Sequence, residues 1–178
     1  MVSHDQLIEA FYGDVITAPA RVVQGGVFSR SSARMLIEVG FPGSFDDFIV
    51  IDADFEERGP LSLAVVYREL GDVAPSRIAH LRRVASCGLD SICFDVSTDA
   101  VYLVPSASPE QATKIAASLE IFVEQIYAVK TIRNEWMESD PSDQSIEDVR
   151  LRMRRAVSDG APHPVWMEII DRVTEVEA

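Results

Sequence analysis

Several features are scarce in this chain, and each scarcity removes a class of function. No apolar run reaches the roughly 18 residues that a membrane-spanning helix needs, so no such helix is expected. The opening Met1-Val2-Ser3-His4-Asp5 has neither a basic n-region nor an apolar h-region, which predicts no secretory signal and a cytoplasmic location. Two cysteines, Cys87 and Cys93, are too few for a disulfide framework; both are expected to be reduced and buried. They lie six positions apart, and with the distant His80 they do not make a zinc ligand set of known spacing. Basic residues are also short: 16 Lys and Arg stand against 29 Asp and Glu, a net charge of −13. A surface that acidic is repelled by phosphate backbones, which argues against a nucleic-acid partner.

What remains is ordinary material for a globular chain. The 178 residues, 47% apolar and 25% charged, suit one domain over 1–178 with enough apolar side chains for a core. The charge is uneven. Residues 1–60 hold 10 acids and 4 bases, residues 61–105 hold 5 and 4, and residues 106–178 hold 14 and 8. The near-neutral middle third is expected to be the sheet, with acid on the flanking segments. That acid either keeps the molecule soluble or steers it toward a basic partner.

Periodicity gives the elements. Ser3-His4-Asp5-Gln6 has the form of a capping box, followed by Leu7, Ile8 and Phe11 on one face and a stop at Gly13. Val15 to Val27 reads as extended chain and turns. Ser31 or Ser32 opens a short helix that Gly40 and Pro42 end. The period then becomes two. Strands are expected at Phe45–Ile51, at Leu61–Tyr67 with its β-branched and aromatic residues, and at Leu81–Ser86. Residues 91–96 and 100–104 read as a hairpin. Short turns between close strands argue for an antiparallel sheet. Beyond Pro105 the chain turns helical. Leu119, Phe122, Val123, Ile126 and Tyr127 repeat at three and four, in a helix that starts at either Pro109 or Ser118. Asp140-Pro141-Ser142-Asp143 breaks it. A further helix holds Ile146, Val149, Leu151, Met153 and Val157, with arginines at 150, 152, 154 and 155, before Gly160. A last helix carries Val165, Trp166, Ile169, Ile170 and Val173.

Catalytic patterns are missing. There is no G-x-S-x-G, no phosphate-binding G-x-x-x-x-G-K-[ST] and no H-E-x-x-H. A triad-like approach of His80 to Cys87 is the nearest candidate for nucleophilic chemistry, and a surface or strand-edge histidine is the simpler reading. Asp46, Asp47, Asp52, Asp54, Glu56 and Glu57 place six acids in twelve residues. Asp52-Ala53-Asp54-Phe55-Glu56 opens like a calcium loop, but Glu57 stands where the loop needs glycine and Leu63 where it needs its bidentate glutamate. The run reads instead as an acidic loop after a strand, open to solvent or to a cationic partner. The residues alone describe an acidic α+β domain without catalytic apparatus, metal or cofactor.

Several local stretches carry a resemblance. Ser31-Ser32-Ala33-Arg34-Met35-Leu36-Ile37-Glu38-Val39-Gly40-Phe41-Pro42 looks like a helix closed by a Gly-Leu-Pro signal. Ser91-Ile92-Cys93-Phe94-Asp95 looks like an "Ile-Cys-Leu-Asp" strand, and Thr98-Asp99-Ala100-Val101-Tyr102 like its turn and return. Ala117-Ser118-Leu119-Glu120-Ile121-Phe122 looks like the opening of a long helix, and Pro164-Val165-Trp166 like the start of a last one. In this order they resemble the SUKH superfamily, and within it the bacterial immunity proteins of the fourth clade, in sparse islands over about residues 28–173. Departures exist. Val84-Ala85-Ser86 replaces an Ile-Gly, Ala116 stands for asparagine, and Ala100 replaces the hairpin glycine, leaving Asp99 to take any positive-φ position. The resemblance favours Ser118 as the helix cap and an extended 114–117.

The resemblance implies an α+β fold with an antiparallel sheet of about five strands and helices at both ends. It also implies a protein that binds and neutralises a toxin, often a nuclease or nucleic-acid deaminase, by stoichiometric occlusion. Such toxins carry basic grooves, which an acidic surface can fill as a phosphate mimic. The expected contact residues are Asp52, Asp54, Glu56 and Glu57, with a second candidate patch at Glu135, Trp136, Glu138, Asp140 and Asp143. Trp136 is either an anchor there or core; Trp166 is expected in the core. The rival reading is a regulatory interaction domain that binds a housekeeping protein, and the identity of the neighbouring gene separates the two. An atypical hydrolase or metal enzyme is the third. The sequence leaves the oligomeric state open.

Overall fold

The computed structural model describes residues 1–46, 48–139, 145–158 and 163–175. Nine strands and eight α-helices are found among them. The N-terminal elements are α1 (His4–Ala10), β1 (Val15–Ile16), α2 (Ala20–Gln24) and α3 (Arg30–Arg34), followed by a π-helical stretch over Met35–Val39. Ser3 caps α1 through the reciprocal bonds of a capping box: Gln6 N–H donates to its side chain, and its own N–H donates to Gln6 Oε1. Residues 15–27 are not wholly extended, because α2 interrupts them. Ser29, rather than Ser31 or Ser32, opens α3, its side chain accepting from Ser32 N–H. Gly40 then stops the π-helical stretch at φ 84°, ψ −171°, a region open to glycine alone. A Cβ there would lie 2.8 Å from the Ile16 carbonyl oxygen. Gly40 therefore lets β2 (Phe41–Pro42) turn back against β1 as a separate two-stranded ribbon.

The large sheet is built from β3 (Ser44–Phe45), β4 (Ile49–Ile51), β5 (Leu61–Ser62), β6 (Arg82–Cys87), β7 (Asp90–Phe94), β8 (Val101–Val104) and β9 (Thr113–Ala116). Its order is β3-β4-β6-β7-β8-β9, every pairing antiparallel, with β5 pairing the start of β6 on the edge that β4 uses further along. The chain is thus α+β, with seven strands rather than about five and helices at both ends. Two expected strands differ. Phe45–Ile51 is a hairpin, not one strand, because Asp46 takes φ 49° and reverses the chain between β3 and β4. Leu61–Tyr67 is a strand only at Leu61 and Ser62; α5 (Leu63–Glu69) follows at once. Leu63 and Tyr67, four apart, face the second side of the sheet together, so the helical period overrides the β-branched composition. The 91–104 hairpin forms as expected, and Asp99 holds its positive φ at 61°.

The main core lies on one sheet face. Ile49, Ile51, Ala85, Ile92, Phe94 and Val101 meet α1, α6 (Leu119–Glu138), α7 (Ile146–Val157) and α8 (Pro164–Val173) there. Ser118 caps α6, accepting from Ile121 N–H at 3.2 Å, and β9 runs before it, as the resemblance favours. Trp166 is buried against Phe122, ring centres 5.8 Å apart, and its Nε1–H reaches the Ile115 carbonyl at 3.4 Å, pinning α8 to β9. The second face is covered by a smaller cluster in which Leu63, Ile78, Leu81, Cys93 and Val104 are buried and α5 is the roof. The expected helix break at Asp140–Asp143 and the stop at Gly160 lie outside the described residues.

Candidate functional site

The acidic run after β4 is built around one buried ring. α4 (Phe55–Arg58) is a single turn whose Phe55 is buried edge-to-face on Phe41 at 5.8 Å. With Phe55 turned inward, Glu56 and Glu57 are turned out. Both are exposed, and neither side chain has an ion pair among the described residues. Their neighbours differ. Asp52 lies against Arg83, Oδ1 to Nη2 2.9 Å, with only 20% of its side chain exposed. Burial pushes its carboxyl up, and the Arg83 charge pulls the other way. Arg83 Nε is itself buried without a hydrogen-bond partner among the described residues. Asp54 holds Arg58 at 2.8 Å, and the same guanidinium holds Glu69 of α5 at 2.5 Å. This clasp ties α4 to the last turn of α5. The hydrogen bonds from Arg58 hold the Glu69 carboxyl below its ordinary range. Of the four expected acids, Asp52 is folded inward, Asp54 is shared with Arg58, and Glu56 and Glu57 are free.

The second candidate patch lies at the C-terminal end of α6. Glu135 accepts from Arg152 of α7 at 2.5 Å, and Glu138 is exposed. Trp136 is 7% exposed and belongs to the main core, so its ring is packing and not a surface anchor. Asp140 and Asp143 lie outside the described residues. Sequence reasoning missed a concavity here. α1 and α6 enclose a groove of about 350 Å³ lined by Glu9, Tyr12, Tyr127 and Thr131 as well as Glu135 and Glu138. Tyr12 is 78% exposed and carries φ 54°. Lys130 sits over the Tyr12 ring at 5.9 Å and offsets part of the local negative charge. A larger open depression of about 710 Å³ is bordered by Arg30, Arg34 and Glu38, with Arg34 paired to Glu38, so it gathers no acidic charge for a cationic partner.

Among the described residues, the groups singled out for chemistry stay apart. Cys87 and Cys93 are buried free thiols. Burial pushes Cys87 up to about 12 and Cys93 up as well, the reverse of nucleophile activation. His80 precedes β6 and stands 3.8 Å from Asp95, whereas Cys87 ends the strand, so the two do not meet. Burial lowers His163, which caps α8 through Val165 N–H. Among the described residues, no three His, Cys, Asp or Glu side chains converge as metal ligands. No helix among them is long and apolar enough to cross a membrane.

What the geometry offers among the described residues is an acidic surface. The SUKH-4 immunity protein family model matches residues 2–169. The chain belongs to the SUKH-4 immunity protein family. The match runs from α1 into α8 and so takes in both acidic patches. Membership supports an immunity function with a toxin as partner. No match was found among curated proteins or among solved structures.

Proposed function

We propose that this SUKH-4 chain is a cytoplasmic immunity protein that captures a basic nuclease- or deaminase-type toxin and blocks it by stoichiometric occlusion. It catalyses nothing itself. The contact is centred on α4, where Glu56 and Glu57 carry unpaired charge on a turn locked by Phe55. That observation carries the reading, because a backbone turn already held by Phe55 needs no further ordering to present its carboxylates to a cationic groove, and their charge steers its approach. Asp54 contributes at the rim, where it is paired with Arg58. Asp52 is withdrawn from the contact by Arg83. Glu135 and Glu138 border the α1–α6 groove as the secondary surface.

The test is protection of cells that express the toxin domain encoded beside this gene. The natural chain is expected to rescue growth. E56K/E57K is expected to slow association by roughly 10- to 100-fold and to weaken rescue, with thermal stability unchanged because both side chains are exposed. Full rescue and an unchanged association rate by the reversed-charge variant would place the contact elsewhere.

A further inference from the structure

The segment that closes α5, beside the acidic turn, leaves two aliphatic side chains bare. α5 ends at Leu70 in a Schellman motif: Gly71 at φ 80° donates its N–H to the Arg68 carbonyl, and Asp72 donates to Tyr67 at 2.9 Å. This motif commonly seats an apolar residue where Asp72 stands, folding it back onto the helix. Here the polar residue takes that place, and the apolar ones on either side point away. Leu70 is 77% exposed and Val73 85% exposed. Tyr67 and Ala74, which flank them, pack against the second core cluster, so the backbone beneath the tip is anchored. The Arg58–Glu69 bond at 2.5 Å sets the tip beside α4. Beside it Asp54 and Glu69 share Arg58, and the tip's own segment carries Arg68 and Asp72, a net negative surround for two exposed aliphatic side chains.

We infer that Leu70 and Val73 form the apolar centre of the toxin-binding face, inserting into an apolar pocket on the partner that is rimmed by lysine or arginine. This rests on the proposed immunity function and sharpens its contact. Apolar centre and charged rim match the anatomy of stable heterologous interfaces, in which a few desolvated side chains hold most of the affinity and peripheral charge sets approach. A second copy of the chain is a poor occupant, because it brings the same negative rim and the same net charge of −13.

The probe is the purified toxin domain encoded beside this gene, and the reading is dissociation rate and affinity for four forms of the full chain. The natural chain is expected to bind. L70S/V73S is expected to lose roughly 10- to 100-fold in affinity, mostly as faster dissociation. E56K/E57K is expected to lose mainly association rate. L89S alters an equally bare leucine, 90% exposed in the turn at the far end of β6, and is expected to bind like the natural chain. No binding by the natural chain would remove the proposed function and this inference together. Binding by the natural chain with L70S/V73S unchanged would remove this inference alone. So would an equal loss in L89S, or a change in the oligomeric state of L70S/V73S in the absence of toxin.

Discussion

Asp52 and Glu57 belong to one acidic run, yet one is clasped under Arg83 and the other stands bare. The run was readable as acid after a strand. Which members would be free was not, because Arg83 and Glu69 are distant in sequence and meet the run only through β-pairing and the α5 turn. Trp136 is a similar case: its helical spacing from Val129 and Ile132 fits core, its acidic neighbours fit surface, and tertiary packing decides. The raised carboxyl of Asp52 has a pH consequence. A carboxyl raised in the folded state favours folding most when protonated, so its contribution is greatest below the ordinary aspartate range and declines as pH climbs through the raised value. D52N removes that titration. Chemical denaturation from acid to neutral pH is expected to show the natural chain losing stability relative to D52N across that window. A constant or opposite difference would mean that Arg83 dominates burial.

At the scale of elements, capping was the most legible signal. Ser3, Ser118 and the Asp99 turn lie where local chemistry and the family resemblance place them, because a cap or a positive φ is a property of a few adjacent residues. α5 was not legible. Leu61, Leu63, Val65 and Tyr67 alternate like a strand, while Leu63, Val66 and Tyr67 also repeat like a helix. Only the seat prepared by Ile78 and Leu81 selects the helix. The Phe45–Ile51 hairpin was hidden in the same way, by apolar residues on both sides of the turn at Asp46. Gly40 offers a test of element geometry. G40A forces a side chain into a glycine-only conformation and against the Ile16 carbonyl, so it is expected to cost roughly 2–4 kcal/mol of folding stability. Urea denaturation checks this; a loss under about 0.5 kcal/mol would mean that the β1–β2 ribbon relaxes freely.

The molecule as a whole joins two kinds of surface on one rigid support. Its sheet is covered by α1, α6, α7 and α8 on one face and by α5 on the other, so the α4–α5 corner projects from a packed base. The excess of acid, −13 over 178 residues, costs some compactness through self-repulsion, and much of what could be paired has been: Arg58, Arg83, Arg133 and Arg154 each hold a carboxylate. The carboxylates left outward are those available to the proposed basic partner. The family was legible from short structural stretches, and the α4–α5 surface was not, since no local pattern distinguishes a presented leucine from a buried one.

The proposed capture of a basic protein by this acidic face is tested most directly by calorimetric titration of the neighbouring gene's toxin domain into the natural chain at about 0.05 M and about 0.5 M salt, conditions that span weak and strong screening. The expected result is a one-to-one complex whose affinity falls at least roughly tenfold at the higher salt. Absence of binding at the lower salt, or an affinity indifferent to salt, would contradict it.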